Sequence, residues 1–450
     1  MVRVTDMTHG RPIRLILLFS LPLMLGSVFQ QLYTIVDTII IGRGVGMQAL
    51  ASIGAADWIN WLVLWGLQGF TQGFAILAAQ EFGAGAYDRL RRVLAMIIKL
   101  SCWFGIAVTI ISLLLVRPLL TLLHTDPAVF GGAQTYLYVQ FGGSLIIIAY
   151  NMAAAVLRCL GDSRTPLFAI IAASFANIAL DLLFVMGFGW GIFGASFATV
   201  LAQLIAFLLC LRSLRRLPFV QLAKADWKTD PAILLHLCRL GIPTGLQMSM
   251  ITLGGMVLQS VLNGFGVVFV AGYTAANKLY GILESASVAF GYAMTAYMGQ
   301  NRGARNAARI DAGIRAVLVL SAEFTAAIVT AMLLAGKPLL GLFLSTEEAG
   351  AADALAVAYQ YLMVLMAFLF ALFVLQAYRS SLQGLGEMTV PTLSGFAEML
   401  MRMGAALVLP TFIGQSGVFF AEGAAWVCAA ALNLVWYYMR IGKIKRDMLK

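Results

Sequence analysis

The sequence predicts an all-α membrane protein in which twelve transmembrane helices form two six-helix lobes related by a pseudo-two-fold axis along the membrane normal. Three observations carry that prediction. Apolar runs of span length recur twelve times along the 450 residues, lysine and arginine gather on alternate connections, and short motifs return 220–226 residues later.

Composition sets the class. The chain is 61% hydrophobic and 11% charged, too little charge for a soluble domain. Taking about 20 apolar residues per crossing, the spans fall near 14–41, 49–79, 93–116, 130–156, 166–187, 192–211, 233–263, 267–298, 312–335, 355–378, 389–411 and 417–439. Several are longer than a bilayer requires, so tilt or extension past the membrane is expected. The first run is too long for a cleavable signal and eleven more follow it. Five cysteines (Cys102, Cys159, Cys210, Cys238, Cys428) lie singly with no CxxC pair, which argues against a disulfide framework or zinc site. His9, His124 and His236 fall near helix ends, so the sequence holds no intramembrane histidine cluster.

The connections assign themselves by charge. Basic residues precede the first span (Arg3, Arg11, Arg14) and follow the second (Arg89, Arg91, Arg92, Lys99) and fourth (Arg158, Arg164). They recur around the sixth-to-seventh connection (Arg212, Arg215, Arg216, Lys224, Lys228, Arg239), after the eighth (Arg302, Arg305, Arg309, Arg315), after the tenth (Arg379) and at the end (Arg440, Lys443, Lys445, Arg446, Lys450). That places 25 of the 30 on one side; Arg43, Arg117 and Lys337 face the other, and Lys278 and Arg402 lie within spans. Both termini are therefore expected in the cytoplasm, and the net charge of +10 reads as a topology signal with no call for nucleic acid.

An internal repeat orders the halves. LRCLGDSRTP at 157–166 matches LQGLGEMTVP at 382–391, Pro22 pairs with Pro243, Gln80 and Gly83 with Gln300 and Gly303, and Gly191 and Phe193 with Gly417 and Phe419. Six spans is an even number, so both halves start on the same side, a parallel repeat of the kind that places substrate where the halves meet. The expected limits are an N-terminal lobe 1–211, a cytoplasmic linker 212–239 carrying Pro218 and Pro231, and a C-terminal lobe 240–450.

Asp37 sits inside the first apolar run, where an ionised carboxylate costs roughly 2.5–3.5 kcal/mol on insertion scales and so faces protein or a wet cavity. Gln30, Tyr33 and Thr34 share its helical stripe and join it as candidate substrate-cavity residues. Pro22, fifteen residues earlier, removes a backbone donor and gives the helix a place to bend. At about 1.5 Å per residue, Asp37 lies about 7 Å below the outer face, Asp181 about 9 Å with Asn177 one turn deeper, and Thr199 about 12 Å. Two carboxylates, an amide and a hydroxyl offer oxygen ligands to a sodium ion, or a shared proton site. No other metal is expected. Asn177 and Thr199 serve equally well as ligands or as satisfied helix-to-helix groups.

The second half says less. Glu398 and Arg402, four apart, are expected to neutralise each other. Lys278 and Glu284 do not share a face; both are carried as cavity candidates that need another partner or water. Glu323 is unassigned, and Glu422 is expected near enough to the outer end to be solvated. Trp58, Trp61 and Trp65 make an i, i+3, i+7 stripe that reads as an interfacial belt or packing ahead of an aromatic wall for a cation. The 21 methionines suit an adaptable cavity and ordinary core filling alike.

QQLYTIVDTIIIGRGVG at 30–46 with LASIGAA at 50–56, LAAQEFGAG at 77–85, LRCLGDSRTPL at 157–167, ANIALDLLFVMGFGWGIFGASFATVLAQ at 176–203 and YTAANKLY at 273–280 resemble the multidrug and toxic compound extrusion (MATE) family from about 14 to 440. The resemblance implies a multi-pass antiporter of the cell's inner (plasma) membrane that exports amphipathic, often cationic compounds against inward flow of protons or sodium ions. It implies no enzymatic activity and no bound cofactor, a monomer, and the bilayer and a small-molecule substrate as partners. In the DinF-like branch the N-terminal lobe carries the coupling site; Asp37, Asn177, Asp181 and Thr199 match its residue types, and Pro22 matches the proline at which the first helix bends. The NorM-like branch places acids on its seventh and tenth helices, and those spans hold none here. The alternative is a lipid-linked oligosaccharide flippase of the same superfamily, whose members usually carry more basic cavity residues or extra helices. An intramembrane enzyme would need a nucleophile with its base or a metal cluster, and the sequence offers neither.

Overall fold

Every long apolar run forms a helix, as hydrocarbon demands of a chain whose backbone groups must be satisfied within the segment. The computed structural model describes residues 4–343 and 350–449, so Arg3 and Lys450 of the charge pattern lie outside the described residues. In chain order the helices are α1 (Pro12–Gly44), α2 (Met47–Gly83), α3 (Tyr87–Leu122), α4 (Pro127–Gly142), α5 (Ser144–Cys159), α6 (Arg164–Asp181), α7 (Gly191–Arg215), α8 (Pro231–Asn263), α9 (Val267–Gly303), α10 (Ala307–Gly341), α11 (Ala351–Gly384), α12 (Thr389–Ile413) and α13 (Phe420–Leu449). Among the described residues there is no strand.

Among the described residues ten of these helices are long and apolar enough to cross a membrane, and α4 with α5 adds one more span, bent by 50° at Gly143. A Cβ on Gly143 would press into the Val200 side chain, so only glycine lets the bend pack against α7. Asp126 caps α4 by accepting from Ala128 N at 2.8 Å, with Pro127 set at the first helical position. Asp162 of the repeated motif caps α6, its Oδ1 accepting from the Arg164 and Thr165 amides at 3.0 Å each. Helix α9 is as long as α2 yet falls outside the plainly apolar spans, since its turns carry Asn277, Lys278, Glu284, Ser285, Ser287, Gln300 and Asn301.

The duplication is written into the backbone. Residues with left-handed φ recur at matching places: Gly46 and Gly266, Gly85 and Arg305, His124 and Gly350, Gly161 and Gly386, Gly189 and Gly414. Each pair lies 220–226 residues apart and ends or starts equivalent helices.

The chain forms two compact units, and their limits cut through helices. One comprises Leu21–Gly245 and the chain up to Asp6; the other comprises Met7–Ser20 and the chain from Leu246 onward. The expected limits 1–211, 212–239 and 240–450 differ from these at two places, 7–20 and 212–245. The opening nine residues of α1 thus belong with the second unit, and the opening fifteen of α8 with the first. Each exchange falls beside a proline, Pro22 in α1 and Pro243 in α8. In the second unit Ser20 Oγ donates to Ala289 O at 3.3 Å, and Arg309 donates to the carbonyls of Met7 and Gly10 at 2.9 and 2.8 Å. In the first unit the segment expected as a free linker is fastened to α3: Lys99 Nζ donates to Trp227 O at 2.5 Å and Thr229 Oγ1 at 2.9 Å. Lys99 is therefore a mid-helix anchor where the sequence suggested a loop residue.

Within the first unit α2 and the start of α8 meet backbone to backbone. A Cβ at Gly73 would stand 2.6 Å from Gly241 Cα and Leu240 O, and Gly241 itself faces the Phe74 ring. Neither backbone atom can yield. Gly73→Ala is expected to destabilise by about 1–3 kcal/mol, the range of core overpacking, and Gly73→Leu to abolish the folded protein. Thermal unfolding in detergent, read beside Gly54→Ala whose added Cβ meets nothing within 4 Å, checks this.

Candidate functional site

The first unit places two acids together with no base paired to either among the described residues. Asp37 is carried by α1, Asn177 and Asp181 by the end of α6, and Thr199 by α7, which packs on α6. The carboxyl groups of Asp37 and Asp181 lie within hydrogen-bonding reach of each other. Asp181 is fully buried and Asn177 is 1% exposed. With both acids ionised there is no donor between them, and Asp37 Oδ1, both oxygens of Asp181 and both amide atoms of Asn177 are buried without a hydrogen-bond partner. An unpartnered polar atom inside a protein costs about 1–3 kcal/mol, and more for a charged group. Five such atoms on one helix turn and its neighbour mark a place built for something further.

Local structure explains the aim of these groups. A π-helical turn, Leu182–Gly187, follows Asp181 directly, the kind of interruption that re-aims side chains at functional positions. One turn beyond each acid, Ile40, Ile41, Ala49, Val185 and Ala195 close into an apolar cluster, with Val36, Ile178 and Ile192 packed against it. The two carboxylates therefore sit under a shared greasy cap. Thr199 donates to Ala195 O at 3.1 Å, which leaves the lone pairs of its hydroxyl oxygen free to ligate. The donor set of carboxylate, amide and hydroxyl oxygens fits a small hard cation, and the acid pair alone fits one proton.

The stripe around Asp37 is mixed. Tyr33 is an electrostatic neighbour of Asp37 and Asp181, whereas Gln30 and Thr34 are exposed, with Thr34 Oγ1 donating back to Gln30 O at 2.9 Å. Pro22 lies within α1, whose helix continues through it. Trp58 and Trp61 pack edge to face with centroids 5.3 Å apart. Asp57 is a group that sequence reasoning missed. It stands on α2, half-buried, as an electrostatic neighbour of Asp37, and the alternation of Asp57 with Trp58 and Trp61 near a span end concealed it.

The second unit treats its acids differently. Glu398 accepts from Arg379 Nη2 at 2.5 Å and from Arg402 Nη2 at 3.2 Å, and Arg402 Nη2 also reaches Glu422 Oε2 at 2.7 Å. Arg402 Nη1 donates to Ile251 O at 2.9 Å, and Ser394 Oγ accepts from Arg379 at 3.3 Å. The expected Glu398 and Arg402 pair forms, and two assignments are corrected. Glu422 is held by Arg402 with its side chain 15% exposed instead of being solvated, and Arg379 is buried inside α11 instead of lying in a loop. In both cases a partner on α12 compensates a charge that hydropathy alone sends to water. Glu284 neighbours this network through Tyr280, Glu422 and Arg402. Lys278 and Glu323 are exposed, and Lys278 has no ion pair among the described residues. Among the described residues no group of three histidine, cysteine or acidic side chains could hold a metal ion.

Comparison with known proteins follows the same lines. The MatE family model matches residues 22–183 and 243–408, one match in each half. A probable multidrug resistance protein of Bacillus subtilis (strain 168), YpnP, is 32% identical over 454 residues, covering 99% of this chain and 98% of its own. A second from the same organism, YoeA, is 26% identical over 95% of this chain and 94% of its own. Among solved structures, a MATE protein in complex with MaL6 superposes with a TM-score of 0.91 over 99% of this chain and all of its own, at 24% identity.

Removing one partner from a buried charge network strands the others, at about 3–5 kcal/mol. Glu398→Gln is expected to lower the unfolding temperature of purified protein more than Glu323→Gln, an exposed acid on α10. Equal melting curves would contradict the network's structural role.

Proposed function

Since the chain belongs to the MatE family, that of the multidrug and toxic compound extrusion transporters, and is a multi-pass membrane transporter and not an enzyme, we propose that it exports amphipathic cations in exchange for protons or sodium ions bound at Asp37 and Asp181. The observation that carries this reading is the meeting of the two acids, both in the unit whose spans supply no basic partner. A buried carboxylate pair needs a positive charge, and a proton or small cation from outside supplies it. Asn177 and Thr199 complete the oxygen set when the ion is sodium.

Neutralising the pair changes what the surrounding protein must satisfy. With the ion bound, Asp37 no longer favours a cation in the neighbouring space, and bound substrate leaves outward. With the ion released inward, the anionic pair again favours a cationic substrate. Alternation of access follows the pattern of parallel-repeat transporters, with both termini in the cytoplasm as the basic connections require. Pro22 gives α1 a point at which to repack, and it lies one residue past the place where α1 passes from one unit to the other. One charge moved across 100 mV is worth about 2.3 kcal/mol, about fiftyfold in concentration at one-to-one exchange.

Proteoliposomes with pH and sodium gradients imposed separately test the reading. Wild type is expected to concentrate a cationic dye under at least one gradient. Asp37→Asn and Asp181→Asn are each expected to lose uphill transport while still equilibrating dye downhill, and Pro22→Ala to slow turnover. Uphill export persisting in folded Asp37→Asn would overturn it, and selective movement of lipid-linked sugars would favour the flippase.

A further inference from the structure

We propose that Asp57, with Asn60 and Tyr136, forms a second cation-recognition point in the first unit, separate from the Asp37 and Asp181 pair, that binds the positively charged head of an amphipathic organic substrate. The inference rests on the antiport reading above and names the group that would read the substrate's charge.

Asp57 and Asn60 stand one turn apart on the same face of α2. Asn60 Nδ2 donates to Tyr136 Oη of α4 at 3.2 Å, which fixes the amide so that its Oδ1 is the free end. That oxygen is buried without a partner, on a side chain 4% exposed. Tyr136 is in turn an electrostatic neighbour of Asp57, Asp37 and Tyr33. Asp57 itself is half-buried and has no hydrogen bond or ion pair among the described residues. The spans of this unit offer it no base: Arg43 occupies the last turn of α1, and Arg117 on α3 donates to Gln134 Oε1 at 3.3 Å.

The chemistry separates this point from the coupling pair. A small inorganic cation wants several oxygens closing around it, as Asp37, Asp181, Asn177 and Thr199 can supply. Asp57 presents a single carboxylate, one bare amide oxygen and the flank of a phenol, on a helix whose next turn carries Trp58 and Trp61. One charge, one acceptor and aromatic faces suit a bulky, weakly hydrated cation with apolar substituents, whose charge also gains from the rings. Because Asp57 and Asp37 feel each other's charge, a positive ion at one point lowers the other's hold on a second. The exchange itself is set by Asp37 and Asp181, and Asp57 adds to the hold on the substrate.

The test uses full-length purified protein and two probes of nearly one shape, methyltriphenylphosphonium, which is permanently charged, and triphenylphosphine oxide, which is neutral. Asp57→Asn is expected to weaken phosphonium binding about tenfold or more, as removal of one partner of a shielded charge pair does, to leave the phosphine oxide within about twofold, and to be rescued by Asp57→Glu. The response of transport to an imposed ion gradient is expected to survive in Asp57→Asn. Equal weakening of both probes, or of neither, overturns the proposal, as does loss of the ion response with phosphonium binding intact, which would place Asp57 in the coupling site. Failure of wild type to couple export to any gradient would sink the antiport reading and leave the binding comparison to judge Asp57 alone. Should Asp57→Asn not fold, carbodiimide labelling of wild type, mapped by mass spectrometry, decides: phosphonium and not the phosphine oxide is expected to protect Asp57, and absence of protection overturns the assignment.

Discussion

An ionised side chain in hydrocarbon must find an opposite charge, a proton or water, and the two halves of this chain answer that demand in opposite ways. In the second unit Glu398 and Glu422 are held by Arg379 and Arg402 in an alternating chain across α11, α12 and α13. Charges balanced inside the protein have no need of an ion from solution, and their geometry is fixed by three mutually dependent ion pairs. In the first unit Asp37, Asp57 and Asp181 cluster with tyrosine, asparagine and isoleucine and without a lysine or arginine in the same turns. In the proposed cycle, what balances them comes from outside the polypeptide. The duplicated halves thus share a fold while dividing the work, one as a braced scaffold and the other as the proposed exchange site.

That division also explains the packing around the acids. In the proposed exchange site, the apolar cluster of Ile40, Ile41, Val185 and Ala195 packs one turn beyond Asp37 and Asp181 and limits their contact with bulk water on that side. A carboxylate pair bathed in water would hold its charge at little cost and would have no reason to bind an ion stoichiometrically. The π-helical turn that follows Asp181 carries Val185 into the same apolar cluster.

Much of this was legible in the sequence, for a physical reason. Twelve spans emerge because hydrocarbon enforces length and apolarity together, and Asp37 and Asp181 stand out because charge in such a run is expensive. The motif at 157–166 and its counterpart at 382–391 were legible as a repeat because they close helices with left-handed glycines, Gly161 and Gly386. What stayed hidden depends on partners distant in sequence. Arg379 reads as a loop residue until Glu398, nineteen residues on, is folded against it. Asp57 does not stand out in the sequence, because what marks it is the charge of Asp37 and the phenol of Tyr136, which come near it only in the fold. The exchange of helix openings between the units is likewise invisible, because no single-span pattern records which neighbours a helix end has.

That exchange bears on how a local event at Asp37 could be felt elsewhere. Asp37 and Pro22 are fifteen residues apart on one helix, about 22 Å along its axis, and the first nine residues of α1 belong to the second unit, where Ser20 donates to Ala289 O and Arg309 holds the carbonyls of Met7 and Gly10 just ahead of the helix. In the proposed cycle, a stiff helix whose opening turns belong to one unit and whose later turns carry the proposed ion site carries repacking along its own length. A proline at the passage between the two lowers the resistance there, since the backbone lacks one rung. In the proposed cycle the signal needs no chain of side-chain couplings, only one continuous α-helix with a weak rung where it changes company.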